Sequence, residues 1–481
     1  MTGQTALILT SLVVYKLVLV GVGVWASRLN RSESDFFLAG QGLGPLVAGL
    51  SYAASTSSAW VLLGFSGFVF TTGLSALWMI PGIWMGYAVM WLGLGRRLRE
   101  ETAQEGHVTL TDFMTARTAG TGRLVLRLVS ALLILFCFVF YIAAQFGAAG
   151  IAFQSEFGLG RTESVLIGAG VVLVYGLLGG FWAVSVTDTL QGLVMALIAI
   201  LLPVAALLAV GGPAGLAAGL STLPVEGFAD PLGGMGLFAF LGFVVGVSGV
   251  GLGPFGQPHL MSRLMAVRDD KSRRQGFAIA MVWAVVIYLG MAVLALSGRV
   301  LVGELANGET IFYRLAADLL PAALAGIVIA AVLSAVMSTV DSILLSAAAA
   351  VSHDMGINSR FAGHEVLVSR IVMFVIAVLA IVMSLTLDST IFNQVLFAWS
   401  ALGAAFGPIV IMRVIGREPS APALLAAMLT GFALTVVFYA LGQSGGESVL
   451  HDLAALPGDP FERVFPWGPA LLILYLGQSR A

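Results

Sequence analysis

Ser51-Tyr52-Ala53-Ala54-Ser55-Thr56-Ser57-Ser58-Ala59-Trp60 puts five serine and threonine hydroxyls into ten residues in the middle of an apolar run. A second stretch is as irregular: Gly246-Val247-Ser248-Gly249-Val250-Gly251-Leu252-Gly253-Pro254-Phe255-Gly256-Gln257-Pro258 carries five glycines and two prolines. Glycine and proline in that density work against a continuous helix. In lipid, broken helices are tolerated only where they line a cavity or are buried in protein. Small residues also let helices pack closely, which is the plainer reading of both stretches. A pair of interrupted spans at matching places in two halves of a chain, however, points to a transport site.

The rest of the chain supplies the membrane. Its 481 residues are 59% hydrophobic and 10% charged, against roughly a quarter charged in an ordinary soluble domain. A water-soluble globule of this size could not cover so much apolar surface. A crossing helix needs about 20 apolar residues. That measure predicts 13 spans, near 6–27, 45–71, 74–95, 125–153, 163–181, 184–211, 234–256, 276–302, 321–350, 366–387, 391–412, 421–442 and 465–478. The first has no basic region ahead of it and reads as a retained span, not a cleaved signal.

With the N-terminus outside and the C-terminus inside, 18 of the 23 basic residues fall on the inner side. Among them are Arg28, Arg31, Arg263, Arg360 and Arg480. Four remain outside, and Lys16 lies within the first span. This is the asymmetry of the positive-inside rule. The connections are too short for a catalytic, nucleotide-binding or nucleic-acid-binding module, so the chain reads as a single transmembrane domain. The lone cysteine, Cys137, excludes an internal disulfide and a thiolate metal cluster. Gly251, Gly253 and Gly256 match G-x-G-x-x-G, but without the strand and helix that give this motif its meaning.

Counted after the first span, the two interrupted stretches each open a set of five spans, the layout of a five-plus-five inverted repeat. The predicted parts are 1–44, an extra N-terminal helix and loop; 45–211, the first repeat; 234–413, the second; and 414–481, two C-terminal helices.

The ninth span places Ala335, Ser338, Thr339 and Ser342 on one helical face, with Asp341 beside it. Sodium is a hard cation that seeks several oxygens, and hydroxyls and freed carbonyls supply them. Asp188, at the start of the sixth span, is a second intramembrane acid. Each hydroxyl taken singly also has a structural reading, as a back-bond to the preceding turn. Lys16 reads as snorkelling or as a helix–helix contact. Tyr141 and Gln145 share a face of the fourth span, and either touch substrate or bridge helices.

Several motifs in order carry a resemblance. They are Asp35-Phe36-Phe37-Leu38-Ala39-Gly40, Leu50 to Trp60, Leu110-Thr111-Asp112-Phe113, Gly179 to Ser185 with Thr187-Asp188, Phe255-Gly256-Gln257-Pro258-His259, Ala335-Val336-Met337-Ser338-Thr339, and Ala398-Trp399 with Gly403 to Pro408. At these residues the chain resembles the sodium/solute symporter family, and within it the sodium/proline branch. The resemblance implies a LeuT-like fold and sodium-coupled symport of a small solute, proline or a related small amino acid, across the inner (cytoplasmic) membrane.

It implies a sodium site at the backbone oxygens of Ala54, Ser57 and Ala335 with the hydroxyls of Ser338 and Thr339. A second cation position would lie at Asp188, Ser338, Asp341 and Ser342. The expected solute contacts are Ser55, Thr56, Ser58, Trp60, Tyr141 and Pro258. Three positions depart from the proline pattern: Thr56 stands for an acid, and Val250 and Pro254 for aromatic residues. The partners expected are the solute, sodium and the lipid bilayer, with no nucleic acid and no obligate protein partner. Proton coupling through Asp341 and Asp188, and a solute sensor, are the alternative readings. A membrane enzyme lacks a nucleophile–base pair or metal-ligand spacing.

Overall fold

The computed structural model describes residues 3–27, 33–176, 180–357, 361, 364–387, 390–445 and 448–478. Arg28, Arg31, Arg360 and Arg480 of the charge count, and Gly179, lie outside them. The described residues are almost wholly helical, and each predicted span has a helix at its place. In order these are α1 Gly3–Ser27, α2 Pro45–Ala59, α3 Met79–Ala88, α4 Gly120–Phe157, α5 Arg161–Gly176, α6 Phe181–Ala209 and α7 Leu237–Ser248. They continue with α8 Asp270–Val302, α9 Ala322–Ala349, α10 Glu365–Thr386, α11 Ile391–Val414, α12 Ala421–Gln443 and α13 Trp467–Leu476. Nine described stretches are long and apolar enough to cross a membrane, and Pro45–Glu105 holds two predicted spans in one. α5 and α13 are shorter than a full crossing.

Burial sorts the helices. The apolar windows of α9 and α11 are each 94% buried, whereas that of α10 is 28% buried. α9 and α11 therefore run through the centre of the bundle, and α10 turns its Ile371, Phe374 and Val378 outward. An apolar face left open in this way suits lipid.

The connections hold more structure than the sequence suggested. The arginine-rich connection between the third and fourth predicted spans holds the helices Gly95–Glu105 and Leu110–Thr115. The second starts from a capping box between Thr109 and Asp112, which satisfies two backbone donors reciprocally. α8 begins at Asp270 instead of 276, because the Asp269 carboxylate accepts from Ser272 N–H at 2.7 Å. The segment 211–234 contains the helix Gly212–Ser221.

Both expected interruptions are present. α2 breaks at Ser58, where φ is 50° and ψ −172°, and the chain resumes as Trp60–Phe65 and Ser66–Thr72. α7 tightens into a 3-10 segment over Gly249–Gly256, and the extended Gln257 leads into the helix Pro258–Met265. The glycines there serve close packing as well. A Cβ on Gly256 would lie 2.0 Å from the Leu402 carbonyl of α11, and one on Gly251 would lie 2.0 Å from the Gly82 carbonyl of α3. Main-chain bonds Leu43 N–H to Ala266 O and Arg268 N–H to Leu43 O, both 3.1 Å, tie the approach to α2 to the end of that helix.

Candidate functional site

At Ser58 the backbone leaves the helix, and the donors beyond it need new partners. Ala59 N–H donates to the Gln145 side-chain oxygen of α4 at 3.1 Å, and Trp60 N–H to Ser58 Oγ at 3.0 Å. Gln145 thus bridges helices and fixes the break.

Across from the break stands the hydroxyl face of α9. Ser338 Oγ reaches toward Ala54 O at 3.5 Å and donates to Ala335 O at 3.1 Å; Thr339 Oγ1 donates to Ser55 O at 3.3 Å. All of these residues are buried. Ala54, Ala335, Ser338 and Thr339 therefore meet as the resemblance implied, with Ser57 one turn along. The Ser57 carbonyl accepts from Trp60 N–H, and its hydroxyl, fully buried, has no partner among the described residues. Neutral oxygens converging from two elements are a donor set that suits sodium better than a soft metal.

Ser55 turns the other way, into a charged cluster. Its hydroxyl lies 3.2 Å from Asp188 Oδ2, 3.2 Å from Ser338 O and 3.1 Å from Ser342 Oγ. Ser51 donates to the same Asp188 oxygen at 2.7 Å. The position expected for a second cation is entered by Arg263, from the helix Pro258–Met265. Its Nη2 lies 2.8 Å from Asp188 Oδ2, 3.0 Å from Ser55 Oγ and against Ser342 Oγ; its Nε donates to Ser51 Oγ at 3.1 Å. Neither Arg263 nor Asp188 is exposed at all. Arg263 had been counted toward the inner surface charge, and it is instead a core residue. Asp341 stands apart: both carboxylate oxygens are buried with no hydrogen-bond partner among the described residues.

The expected solute residues divide. Trp60 stacks on Phe392 at 5.8 Å between centroids and faces Tyr288 at 6.5 Å. Tyr141 lies between His259 and Trp399, at 6.1 and 6.4 Å. The Tyr141 hydroxyl, Gln145 Nε2, both His259 nitrogens and the indole nitrogens of Trp60 and Trp399 are buried without partners among the described residues. Buried polar atoms normally find partners, so such a gathering beside the break in α2 is a candidate solute chamber. Thr56 is different, since its hydroxyl back-bonds to Tyr52 O at 2.6 Å. Pro258 begins its helix beside a small cleft of about 30 Å³ shared with Thr109, Thr111 and Asp354.

A model of the sodium:solute symporter family matches residues 36–431. The chain belongs to that family. It is 33% identical over 451 residues to the osmoregulated proline transporter OpuE of Bacillus subtilis, covering 92% of this chain and 90% of that protein. It is 33% identical over 439 residues to the sodium/proline symporter of Escherichia coli, covering 89% and 86%. In three dimensions it is similar to a Na+-coupled sialic acid symporter in its substrate-bound outward-open state, with a TM-score of 0.78 at 14% identity over 99% of both chains. MhsT in complex with L-phenylalanine aligns with a TM-score of 0.55 at 15% identity, over 90% of this chain and 98% of that one. At such identities the likeness speaks to the fold, which is the LeuT-like five-plus-five inverted repeat. The symporter is a multi-pass membrane protein that couples a solute to Na+, and it is a transporter, not an enzyme.

Proposed function

We propose that this symporter carries proline, or a small amino acid of the same kind, inward with sodium by alternating access. The observation that carries the reading is the meeting of the broken α2 with the hydroxyls of α9. Sodium would take the carbonyls of Ala54, Ser57 and Ala335 with Ser338 Oγ and Thr339 Oγ1. Because those oxygens belong to two elements, binding the ion costs less when the elements are held together, and the ion thereby favours the state that presents the chamber. An inside-negative potential adds about 2.3 kcal/mol per charge per 100 mV to the inward drive.

The proline assignment draws on relatives named as proline transporters at 33% identity and on the chamber's chemistry. A zwitterion's carboxylate suits donors such as Gln145 Nε2 and the Tyr141 hydroxyl, and an apolar ring suits the face of Trp60. The symporter would sit in the inner membrane, and the charge asymmetry supports an orientation with the N-terminus outside. The whole chain acts as one transport domain in the lipid bilayer, with solute and sodium as its ligands and no nucleic acid or obligate protein partner.

Uptake of labelled proline into proteoliposomes tests this. A sodium gradient is expected to drive accumulation, and small amino acids to compete. Accumulation that follows a proton gradient at fixed sodium would turn the reading to proton coupling, and solute binding without flux would turn it to a sensor.

A further inference from the structure

Two stretches far apart in the chain meet at one end of α9. The helix Leu110–Thr115 brings Asp112, and the turn Ala350–Asp354, which continues α9, brings His353 and Asp354. His353 Nε2 and Asp112 Oδ2 are 2.8 Å apart, and Asp354 Oδ1 accepts from Thr109 Oγ1 at 2.7 Å. One nitrogen or oxygen from each of Asp112, His353 and Asp354 lies within 4.8 Å of the other two. Arg127 of α4 stands beside them. Its hydrogen bonds go to the main-chain carbonyls of His353 and Asp354, at 2.9 and 3.1 Å, and it stays 3.8 Å from one oxygen of each carboxylate. The arginine thus holds the backbone of the turn and does not saturate the two acids. The cleft of about 30 Å³ beside Asp354 is an independent observation. Thr111 on its wall is buried, and its hydroxyl has no partner among the described residues. A space of that size holds a water.

We propose that Asp112, His353 and Asp354 bind a divalent transition metal of the zinc class, with a water in the fourth position beside the Thr111 hydroxyl. Imidazole nitrogen and carboxylate oxygen are ordinary zinc ligands, in a tetrahedron whose bonds place ligand atoms about 3.4 Å apart. Small side-chain rotations bring the cluster to that spacing. Two carboxylates against one guanidinium leave the group net negative while the imidazole is neutral, so a dication is attracted. The metal replaces the proton shared by His353 and Asp112, because ligands bind deprotonated. Magnesium and calcium prefer all-oxygen sites with more ligands, and the imidazole counts against them. Bound there, the metal ties the helix Leu110–Thr115 to the end of α9, at a place separate from the oxygens between α2 and α9.

Equilibrium dialysis of the purified, detergent-solubilised protein against radiolabelled zinc tests this without transport. One zinc per chain is expected, undisturbed by excess magnesium or calcium. His353→Gln and Asp354→Asn are each expected to weaken binding by about tenfold or more, and Thr111→Val by about tenfold. His353→Cys, which offers a thiolate instead, is expected to keep the metal. Zinc should also raise the unfolding temperature of the wild type and not that of His353→Gln. Absence of binding at micromolar zinc, or equal binding by the wild type and His353→Gln, would overturn the proposal. Binding lost in His107→Gln and kept in His353→Gln would overturn it too, by placing the metal at Glu101, Glu105 and His107. Should Asp354→Asn not fold, the two variants of the partly exposed His353 decide.

Discussion

The Arg263 guanidinium lies 2.8 Å from the Asp188 carboxylate with neither side chain exposed, and two serines of α2, Ser51 and Ser55, bind both partners. The pair thus joins α2, α6 and the helix Pro258–Met265 immediately beside the hydroxyl face of α9. Removing one partner leaves a buried charge without compensation, at a cost of about 3–5 kcal/mol. Arg263→Met and Asp188→Leu are each expected to lower the unfolding temperature sharply in detergent. The double variant, which removes both charges, is expected to recover much of the loss. Equal and additive losses would show that the two side chains do not depend on each other.

Gln145 is expected to matter through the backbone. Gln145→Leu leaves Ala59 N–H unpartnered at the break, which costs about 1–3 kcal/mol, and also removes a donor from the chamber. Both the melting temperature and proline affinity should fall. A variant of wild-type stability and affinity would mean that the break at Ser58 holds itself open.

Glu462 gives the fold a pH dependence. Burial pushes the Glu462 carboxyl up to about 7, with Asp459 adding to the rise and Arg463 opposing it. The folded protein then binds a proton that the unfolded chain, with an ordinary glutamate near 4.5, releases earlier. Stability is therefore full below the unfolded value and falls as pH rises from about 4.5 to about 7, by about 3 kcal/mol at 1.4 kcal/mol per unit. Arg463, next in sequence, sits over Phe392, the ring stacked on Trp60, so loosening here reaches that aromatic stack. Melting curves across that range are expected to shift downward in the wild type and to flatten in Glu462→Gln. Parallel curves would assign the shift to another group.

Much of this was legible in the chain because it is local. Five hydroxyls at Ser51–Ser58, the glycines and prolines of 246–258 and the period of Ala335, Ser338, Thr339 and Ser342 are patterns of a few turns, and the breaks and the hydroxyl face appear where they fall. What was not legible depends on reach across the fold. Gln145 and Ala59 are separated by 86 residues, and the role of Gln145 at the break has no sequence period. Arg263 was hidden by the charge count itself, since arginines near a span's inner end usually face water. The signal was present: Arg263 follows Pro258 within a short, otherwise mostly apolar helix just past a break. Thr56 shows the converse, because its hydroxyl belongs to the preceding turn at Tyr52 O, the structural reading of any membrane threonine. Lys16 contacts a neighbouring helix, as one of its two readings held.

The seat for sodium between α2 and α9 is the centre of the account, and removing its side-chain oxygens tests it most directly. Ser338→Ala with Thr339→Val leaves the helix and its packing nearly unchanged while taking away both hydroxyls. The measurement is the rise in unfolding temperature on adding sodium at constant ionic strength, with the wild type and the double variant side by side. The rise is expected in the wild type and should vanish in the variant, along with sodium-stimulated uptake. A sodium-dependent rise of the same size in both proteins would contradict the assignment and place the ion elsewhere.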